Sequence, residues 1–397
     1  MTRSQGRQLA LIALVQVLAM ALWFSASAVL PALRQEWDLG TSAANLLATS
    51  LQVGFVAGAL LSAFLNIADR VRAHLLMSVS ALTGSLLTAL VLVIGEEYVL
   101  AVLIRFLTGV CLAGVYPVGM KLMATWFDRG RSFAMGVLIG ALTLGSSLPQ
   151  LLVAVSASDW RPVLVAAALL AGLGGIVALV LVRPGPHLAG AAPFAPRYAI
   201  RMFQDPNQRR INLGYYGHMW ELYAFWTWLP TYLAAVEIFG DGIAIQSPAV
   251  GLLTFTVIGV AGTAGCVAAG RWGEGAGPVR MARLALVTSG TCAVASYGVS
   301  MLGLVPLTAL LMIWGASVVA DSGQFSAALS HVTDPGHVGT ALTVQTAVGF
   351  AVTTVSIQGL PYLAEATSWR IAFVALSAGP LFGVLALRER RLVPAPS

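Results

Sequence analysis

The chain has 397 residues, of which 58% are hydrophobic and only 10% are charged. Soluble domains carry about 25% charged residues, so the composition excludes a large soluble core and predicts a polytopic membrane protein. The three cysteines, Cys111, Cys266 and Cys292, lie in apolar segments without metal or disulfide spacing, which favours a packing role. We therefore expect no cofactor and no bound metal.

Twelve apolar segments are long enough to cross a bilayer, which takes about 20 residues each. Residues 1–7 precede a stretch too long for a signal peptide, so we expect the first segment to remain as an anchor. The fold class is therefore all-α integral membrane. The predicted spans, numbered 1 to 12 in chain order, are 8–33, 43–66, 75–95, 98–122, 133–156, 162–182, 210–236, 249–270, 281–303, 306–329, 341–363 and 370–387.

The basic residues predict the orientation of the spans. With the N-terminus inside, eighteen of the 22 Lys and Arg residues fall on the inner side. Only Arg34, Arg161 and Arg370 fall outside, and Arg105 lies within a span. Inner loops of membrane proteins are enriched in Lys and Arg, so both termini are expected in the cytoplasm, with the protein in the cell membrane.

A proline- and arginine-rich segment divides the spans into two sets of six. We assign residues 1–182 to an N-terminal six-helix bundle, 183–209 to a cytoplasmic linker and 210–397 to a C-terminal bundle. Trp160-Arg161 and Trp369-Arg370 stand 209 residues apart, each before the last span of its half. Leu30-Pro31 and Leu229-Pro230 repeat at a slightly shorter offset. Such a repeat is typical of secondary transporters that alternate access around a midplane site.

Several motifs resemble those of the major facilitator superfamily. The loop after span 2, Leu65-Asn66-Ile67-Ala68-Asp69-Arg70-Val71-Arg72, is similar to the gating motif, although Leu65 and Arg72 replace its glycines. Gly270-Arg271-Trp272-Gly273-Glu274 is a weaker copy. Span 4 carries Arg105-Phe106-Leu107-Thr108-Gly109, as in many proton-linked members. Span 5 resembles the glycine-rich motif of that helix at Gly136, Gly140, Gly145 and Pro149.

This resemblance implies two pseudo-symmetric bundles of six helices and a secondary transporter, not an enzyme. GMKLMATWFDRGR and GHMWELYAFWTWLP look like bacterial nitrate/nitrite- or cyanate-type permeases. Nitrate porters carry a substrate arginine in spans 2 and 8. Here spans 2 and 8 contain no charged residue, which argues against nitrate itself.

Ionisable residues inside the predicted spans are few. They are Arg105 in span 4, His218 and Glu221 in span 7, and Asp321 in span 10. A charge at the centre of a bilayer costs about 2.5–3.5 kcal/mol on insertion scales, so such residues face protein or a watery cavity. In the resembled superfamily, spans 1, 4, 7 and 10 line the central cavity. We therefore expect all four groups there.

Arg105 and Glu221 are expected at similar depth. At 1.5 Å per residue, Arg105 lies roughly 10 Å below the outer end of its helix and Glu221 roughly 16 Å above the inner end of its own. Arg105 is either an anion site or partner of Glu221, or a brace on the backbone of span 1. Glu221 is either a proton carrier or half of a permanent structural ion pair.

His218 and Asp321 also have two interpretations each. An imidazole relays protons near neutral pH, but it equally completes a hydrogen-bond network. Zinc binding by His218 with Glu221 is disfavoured because no further ligands are visible. Asp321 is either a second protonation site or a contact that stabilises the inner gate. We assign Glu221, His218 and Asp321 to proton coupling.

Substrate contacts and gating residues complete the predicted site. Besides Arg105, the substrate candidates are Trp23 and Phe24 in span 1, Tyr116 in span 4, Trp220 and Tyr223 in span 7, and Gln345 in span 11. Tyr215 and Trp226 are further aromatic candidates to shape the pocket. The gating residues are Asp69, Arg70, Arg129 and Arg131, which we expect to pair with inner helix ends.

These residues favour a proton-coupled transporter of a small anion. The alternative is a proton-driven exporter of hydrophobic or cationic compounds, which the aromatic residues around Glu221 suit. The expected partners are a small solute, protons and the lipid bilayer, acting on a monomer. We expect no nucleic acid, because the basic residues follow the membrane topology.

Overall fold

The computed structural model describes residues 2–65, 67–94, 96–127, 130–156, 159–187, 196–240, 242, 244–245, 247–334 and 337–388. These residues contain helices and no strand. The helices up to the linker are Arg3–Met20, Ser25–Ala28, Leu30–Glu36, Thr41–Phe64, Ile67–Arg70, Ala73–Leu90, Tyr98–Ala113, Tyr116–Trp126, Arg131–Val155 and Arg161–Val180. Those that follow are Pro196–Gln204, Pro206–Ala235, Pro248–Phe255, Gly262–Ala276, Pro278–Val299, Leu304–Ala320, Ser322–Val332, Val338–Ala366, Trp369–Ala375 and Ala378–Ala386, with a π-helical turn at Thr256–Ala261.

Nine of the described helical segments are long and apolar enough to cross a membrane. They correspond to predicted spans 2–6, 8 and 10–12. Span 1 is interrupted, and the helices of spans 7 and 9 carry polar and basic residues that lower their apolar content. The all-helical prediction is confirmed, whereas the count of twelve spans stays a prediction.

Several predicted spans are not single helices. Span 1 stops at Met20, forms a turn through residues 21–24 and resumes as two short helices. Span 4 is interrupted between Ala113 and Tyr116, and span 10 changes helix at Asp321. Interrupted helices leave backbone carbonyls without their usual helical partner, and in a membrane such groups need other donors.

The two ends of the bundle are fixed by polar contacts between helix termini. At one end, Gln8 Nε2 donates to the Leu181 carbonyl (3.2 Å) and Trp126 Nε1 to the Arg183 carbonyl (2.9 Å). We call this end inner, in keeping with the predicted orientation. At the outer end, Glu36 accepts hydrogen bonds from Arg161 (2.6 Å) and Trp160 (2.7 Å), which hold the pKa of its carboxyl below the ordinary value.

Small residues bring the helices of spans 5 and 8 into direct contact across the two halves. A Cβ on Gly136 would lie 2.8 Å from the Cys266 carbonyl oxygen. Thr263 Oγ1 donates to the Gly140 carbonyl at 2.9 Å. Close backbone approach through small residues is the usual basis of helix association in membranes. This seam joins the predicted N-terminal and C-terminal bundles.

The linker helix Pro196–Gln204 rests on the second half. The ring of Tyr198 stacks on that of His337 with centroids 4.2 Å apart. Gln208 Nε2 donates to the Tyr198 hydroxyl at 2.9 Å. Asp205 caps the following helix by accepting from the backbone N–H groups of Asn207 and Gln208, which fixes where span 7 begins.

The close approach of span 5 to span 1 at Gly145 can be tested by substitution. A Cβ on Gly145 would overlap the Val17 carbonyl oxygen, which is rigid backbone of span 1. We expect Gly145→Ala to destabilise the protein by about 1–3 kcal/mol, the usual cost of overpacking. The measurement is the Tm of the purified protein in detergent.

Gly359→Ala is the matched control. Gly359 also lies inside a long helix, but a Cβ added there would meet no other atom within 4 Å. Alanine is favoured over glycine in helices by about 1 kcal/mol, so this variant should equal or exceed the parent Tm. A Tm for Gly145→Ala at or above that of the parent would contradict the packing at span 1.

Candidate functional site

A small central cavity of about 40 Å³ lies between the two halves of the chain. Its walls come from spans 4, 5, 7, 10 and 11. The lining residues are Tyr116, Met120, Ile139, Leu142, Tyr215, Met219, Leu222, Tyr223, Trp226, Val319, Ser322, Ser326, Leu342, Thr346 and Phe350. No described Lys, Arg, Asp or Glu lines it. The cavity is therefore aromatic and apolar, with hydroxyl groups as its polar contacts.

A layer of aromatic rings closes the cavity on its outer side. This aromatic cap consists of Trp23, Phe24 and Phe55 from the first half and Tyr223, Trp226 and Phe350 from the second. Trp23 and Phe350 have centroids 5.4 Å apart, and Phe24 stacks on Tyr223 at 6.1 Å. Because the rings pack across the two halves, the cap separates the cavity from the outer face.

Hydrogen bonds between spans 2 and 11 continue this closure towards the outer surface. We call them the outer latch. They are Thr41 to Glu365 (3.3 Å), Ser42 with Tyr362 (3.1 Å) and Gln358 to Thr49 (3.1 Å). Bonds of this kind contribute about 1 kcal/mol each at most, so the latch closes the outer side without making it permanent.

His218, Asp321 and Ser322 form a buried polar cluster beside the cavity. His218 Nδ1 lies 2.8 Å from Asp321 Oδ1, and both side chains are almost fully buried. On the other side of the ring, His218 Nε2 lies 3.0 Å from Ser322 Oγ. Ser322 lines the cavity, so a hydroxyl connects the cavity to the imidazole and then to the carboxylate.

The local fold explains why this cluster forms. Asp321 stands at the change of helix in span 10, and its carbonyl starts the next helix by accepting from Gln324 and Phe325. The His218 ring is held between Tyr215 and Phe325, with centroids 5.7 and 5.9 Å away. The helix break directs the Asp321 carboxylate towards span 7, and the flanking rings fix the His218 imidazole that contacts it.

Glu221 does not line the cavity. Its Oε2 accepts from Ser289 Oγ in span 9 at 2.7 Å, and its Oε1 accepts from Trp314 Nε1 in span 10 at 2.8 Å. Only 1% of the residue is exposed. Both carboxylate oxygens are therefore satisfied inside the second half.

Arg105 is a brace within the first half. Its Nη1 donates to Ser25 Oγ (3.1 Å), and its Nη2 donates to the carbonyls of Leu22 (3.2 Å) and Trp23 (3.1 Å). These carbonyls belong to the turn that interrupts span 1. Of the two interpretations, the geometry matches the backbone brace. No ion pair joins Arg105 and Glu221 among the described residues, so the cross-bundle pair, one of the interpretations left open by the sequence, does not form in this structure.

The remaining substrate candidates fall in different places. Tyr116 and Tyr223 line the cavity, whereas Trp23 and Phe24 lie behind it in the aromatic cap. Trp220 packs against span 12, where a Cβ on Gly379 would lie 2.8 Å from Trp220 Cβ. Gln345 Nε2 donates to Asn212 Oδ1 at 3.0 Å, so its amide ties span 11 to span 7 instead of facing a solute. Trp220 and Gln345 are not part of the cavity wall.

The gating residues are placed only in part. Arg70 ends the short helix Ile67–Arg70 and is exposed. Arg129 lies outside the described residues, as do the side chains of Asp69 and Arg131. The predicted gating pairs therefore stay a prediction.

Several cavity residues carry no obvious sequence signal, and three of them come from span 11. Phe350, Thr346 and Leu342 line the cavity, yet they sit in an uncharged apolar run like many others. Ser322 was not predicted either, although its position directly after Asp321 is a signal that could have identified it. Which side of a buried helix faces a cavity depends on the neighbouring helices, not on its own pattern.

A comparison with known protein families identifies the family of this chain. The sequence model of the Major Facilitator Superfamily matches residues 12–357. The chain belongs to the major facilitator superfamily. Members are secondary transporters and not enzymes, and with nine apolar helices in its described part the protein is a multi-pass membrane protein. No curated protein matches the chain closely enough to indicate a subfamily.

The hydrogen bonds from Arg105 to span 1 predict that Arg105→Lys is less stable than the parent. A lysine ammonium lacks the planar fork with which guanidinium reaches three acceptors, so we expect a loss of about 2 kcal/mol in stability. The Tm of this transporter, with and without added benzoate, measures the effect. Arg7→Lys, at an exposed position, is the control and should leave the Tm unchanged.

The Tm measured with benzoate distinguishes a structural brace at Arg105 from an anion-binding site. A brace whose donors are occupied predicts the same Tm with and without benzoate, both in the parent and in Arg105→Lys. Stabilisation of the parent by benzoate that disappears in Arg105→Lys would show that the guanidinium binds an anion instead.

Proposed function

We propose that this member of the superfamily exchanges protons for an amphipathic solute that is neutral or cationic. One observation carries the proposal. The described lining of the cavity contains no Lys, Arg, Asp or Glu, yet Ser322 connects it to the buried pair of His218 and Asp321. The cavity thus offers an apolar binding surface with one proton-accepting pair behind it.

The cavity wall suits an aromatic or aliphatic solute. Tyr223, Trp226 and Phe350 supply ring faces, which attract cations as well as apolar groups. Met120 and Met219 add flexible, polarisable side chains that adapt to solutes of different shape. A strongly hydrated ion would lose its water here without gaining a charged partner, which disfavours small inorganic ions.

The pair of His218 and Asp321 provides the coupling. With a neutral imidazole, the pair bears one negative charge, and with one added proton its net charge is zero. A cation in the cavity is attracted to the first state and not to the second, so cation and proton compete. Tyr215, Cys266 and Glu221 are the other titratable groups near Asp321.

A proton released for each cation bound makes the process an exchange. If the outer side is the more acidic, inward proton flow drives the solute outward. This agrees with the alternative function in the sequence analysis, an exporter of hydrophobic or cationic compounds. The anion hypothesis depended on Arg105, whose guanidinium donates to span 1 and does not line the cavity.

The membrane and orientation belong to the same proposal. The distribution of Lys and Arg supports insertion in the cell membrane with both termini in the cytoplasm. The cavity then lies on the cytoplasmic side of the aromatic cap, where a solute bound for export enters. Since the cavity is lined by one chain, we propose that a monomer carries out transport.

Proton release on solute binding tests the proposal. Tetraphenylphosphonium, a lipophilic cation, is added to purified protein in weak buffer, and a pH indicator reports released protons. We expect release from the parent and none from Asp321→Asn. By linkage, the Kd of the parent for this cation should fall about tenfold for each unit of rising pH wherever one proton is released for each cation bound.

Asp38→Asn is the control, because Asp38 is exposed and its positive φ of 48° is well tolerated by asparagine. It should behave like the parent. Benzoate should neither bind nor displace protons. Unchanged proton release from Asp321→Asn, or binding of benzoate in place of the cation, would contradict the proposal.

A further inference from the structure

The described part of each half contains a buried polar tie between two cavity helices. In the first half, Arg105 of span 4 donates to the Leu22 and Trp23 carbonyls of span 1. In the second half, Trp314 of span 10 donates to the Glu221 carboxylate of span 7. The donor side chains differ, but both lie in the fourth span of their half and reach towards the first.

The internal repeat relates these two ties position by position. Trp314 follows Arg105 by 209 residues, the offset that relates Trp160-Arg161 to Trp369-Arg370. Glu221 follows Leu22 by 199 residues, the offset that relates Leu30-Pro31 to Leu229-Pro230. Identical residues flank both alignments: Met20 with Met219, Ile104 with Ile313, and Gly114 with Gly323. Donor and acceptor positions therefore both correspond between the halves.

The continuity of the acceptor helix explains why the acceptors differ. Span 1 is interrupted at residues 21–24, so the Leu22 and Trp23 carbonyls lack the usual helical donor four residues on and can accept from side chains. Span 7 is one continuous helix, Pro206–Ala235, whose carbonyls at this level are used within the helix. A side chain must then supply the acceptor. Glu221 does so at the position where Leu22 offers its carbonyl.

We propose that Glu221 is a positioning residue that fixes span 10 against span 7, and that it is not the proton carrier. Glu221 lies one helical turn from His218 in span 7, and Trp314 lies two turns before Asp321 in span 10. The hydrogen bond between Trp314 and Glu221 and the contact between His218 and Asp321 therefore join the same two helices. The hydrogen bond sets the register in which His218 Nδ1 and Asp321 Oδ1 meet at 2.8 Å.

The charge of Glu221 is not needed for this role, which makes Glu221→Gln the decisive variant. A glutamine oxygen accepts from Trp314, and its amide donates to Ser289 Oγ, whose own hydrogen turns to the Leu286 carbonyl 3.3 Å away. We expect this variant to retain the parent Tm and the pH midpoint of proton release on binding of tetraphenylphosphonium. A proton carrier at this position would instead lose proton release at unchanged Tm, which would overturn the proposal.

Removing either partner of the tie should destabilise the protein. Trp314→Phe keeps the ring packed against Phe225, with centroids 4.5 Å apart, but removes the N–H donor. We expect Glu221→Ala and Trp314→Phe each to lower the Tm, and the double variant to be no worse than Glu221→Ala alone. Trp272→Phe, at a position 67% exposed, is the control and should match the parent. Fully additive losses would overturn the proposal.

The stability measurements do not depend on which solute or ion the protein transports. If Asp321→Asn still released protons, the proposed exchange would fail while the tie between Glu221 and Trp314 would stand on its non-additive Tm values. If Glu221→Gln abolished proton release, the positioning role would fail and the proton carrier would be Glu221. The two ideas therefore fail by different results.

Discussion

The contact between His218 and Asp321 is the interaction on which the rest of the second half depends. A carboxylate and an imidazole in the middle of a bilayer bundle must be satisfied by the protein itself, since lipid offers no hydrogen bonds. Span 10 changes helix at Asp321 to present the carboxylate, and the rings of Tyr215 and Phe325 hold the imidazole in place. The tie between Glu221 and Trp314 keeps the two helices in the register that this contact requires.

The polar groups within each half are bound more tightly than those between the halves. Arg105, Glu221 and Asp321 are buried and engage partners in their own half. The described contacts across the halves include small residues, aromatic rings, the hydrogen bond from Thr263 to the Gly140 carbonyl, the Arg271 guanidinium over the Phe133 ring and the hydrogen bonds of the outer latch. Separating apolar or exposed surfaces leaves no buried charge without a partner, whereas breaking a buried pair would. The molecule is thus built to part between its halves and not within them.

The side chains that line the cavity determine which solutes it suits. Its walls carry tyrosines, methionines and small hydroxyl residues, while the ionisable pair of His218 and Asp321 stands one hydroxyl behind the surface. In the proposed exchange, the solute is selected by shape and aromatic contact, while the proton is held by a separate pair that senses the charge of the solute. The outer wall of the cavity is the aromatic cap, which contains side chains from both halves and so links binding to the closure of the outer side.

The sequence by itself determined the helical membrane fold, the family resemblance and the few ionisable residues on cavity helices, because apolar length and charge distribution depend only on composition along the chain. It also placed His218 and Glu221 one turn apart on span 7. Only the tertiary structure decided that His218 meets Asp321, that Glu221 meets Trp314 and Ser289, and that Arg105 binds the broken turn of span 1. It likewise decided that span 11 lines the cavity while Trp220 and Gln345 do not. The reason is physical: a helix pattern fixes the spacing of side chains, but their partners depend on where neighbouring helices break and how closely their backbones approach.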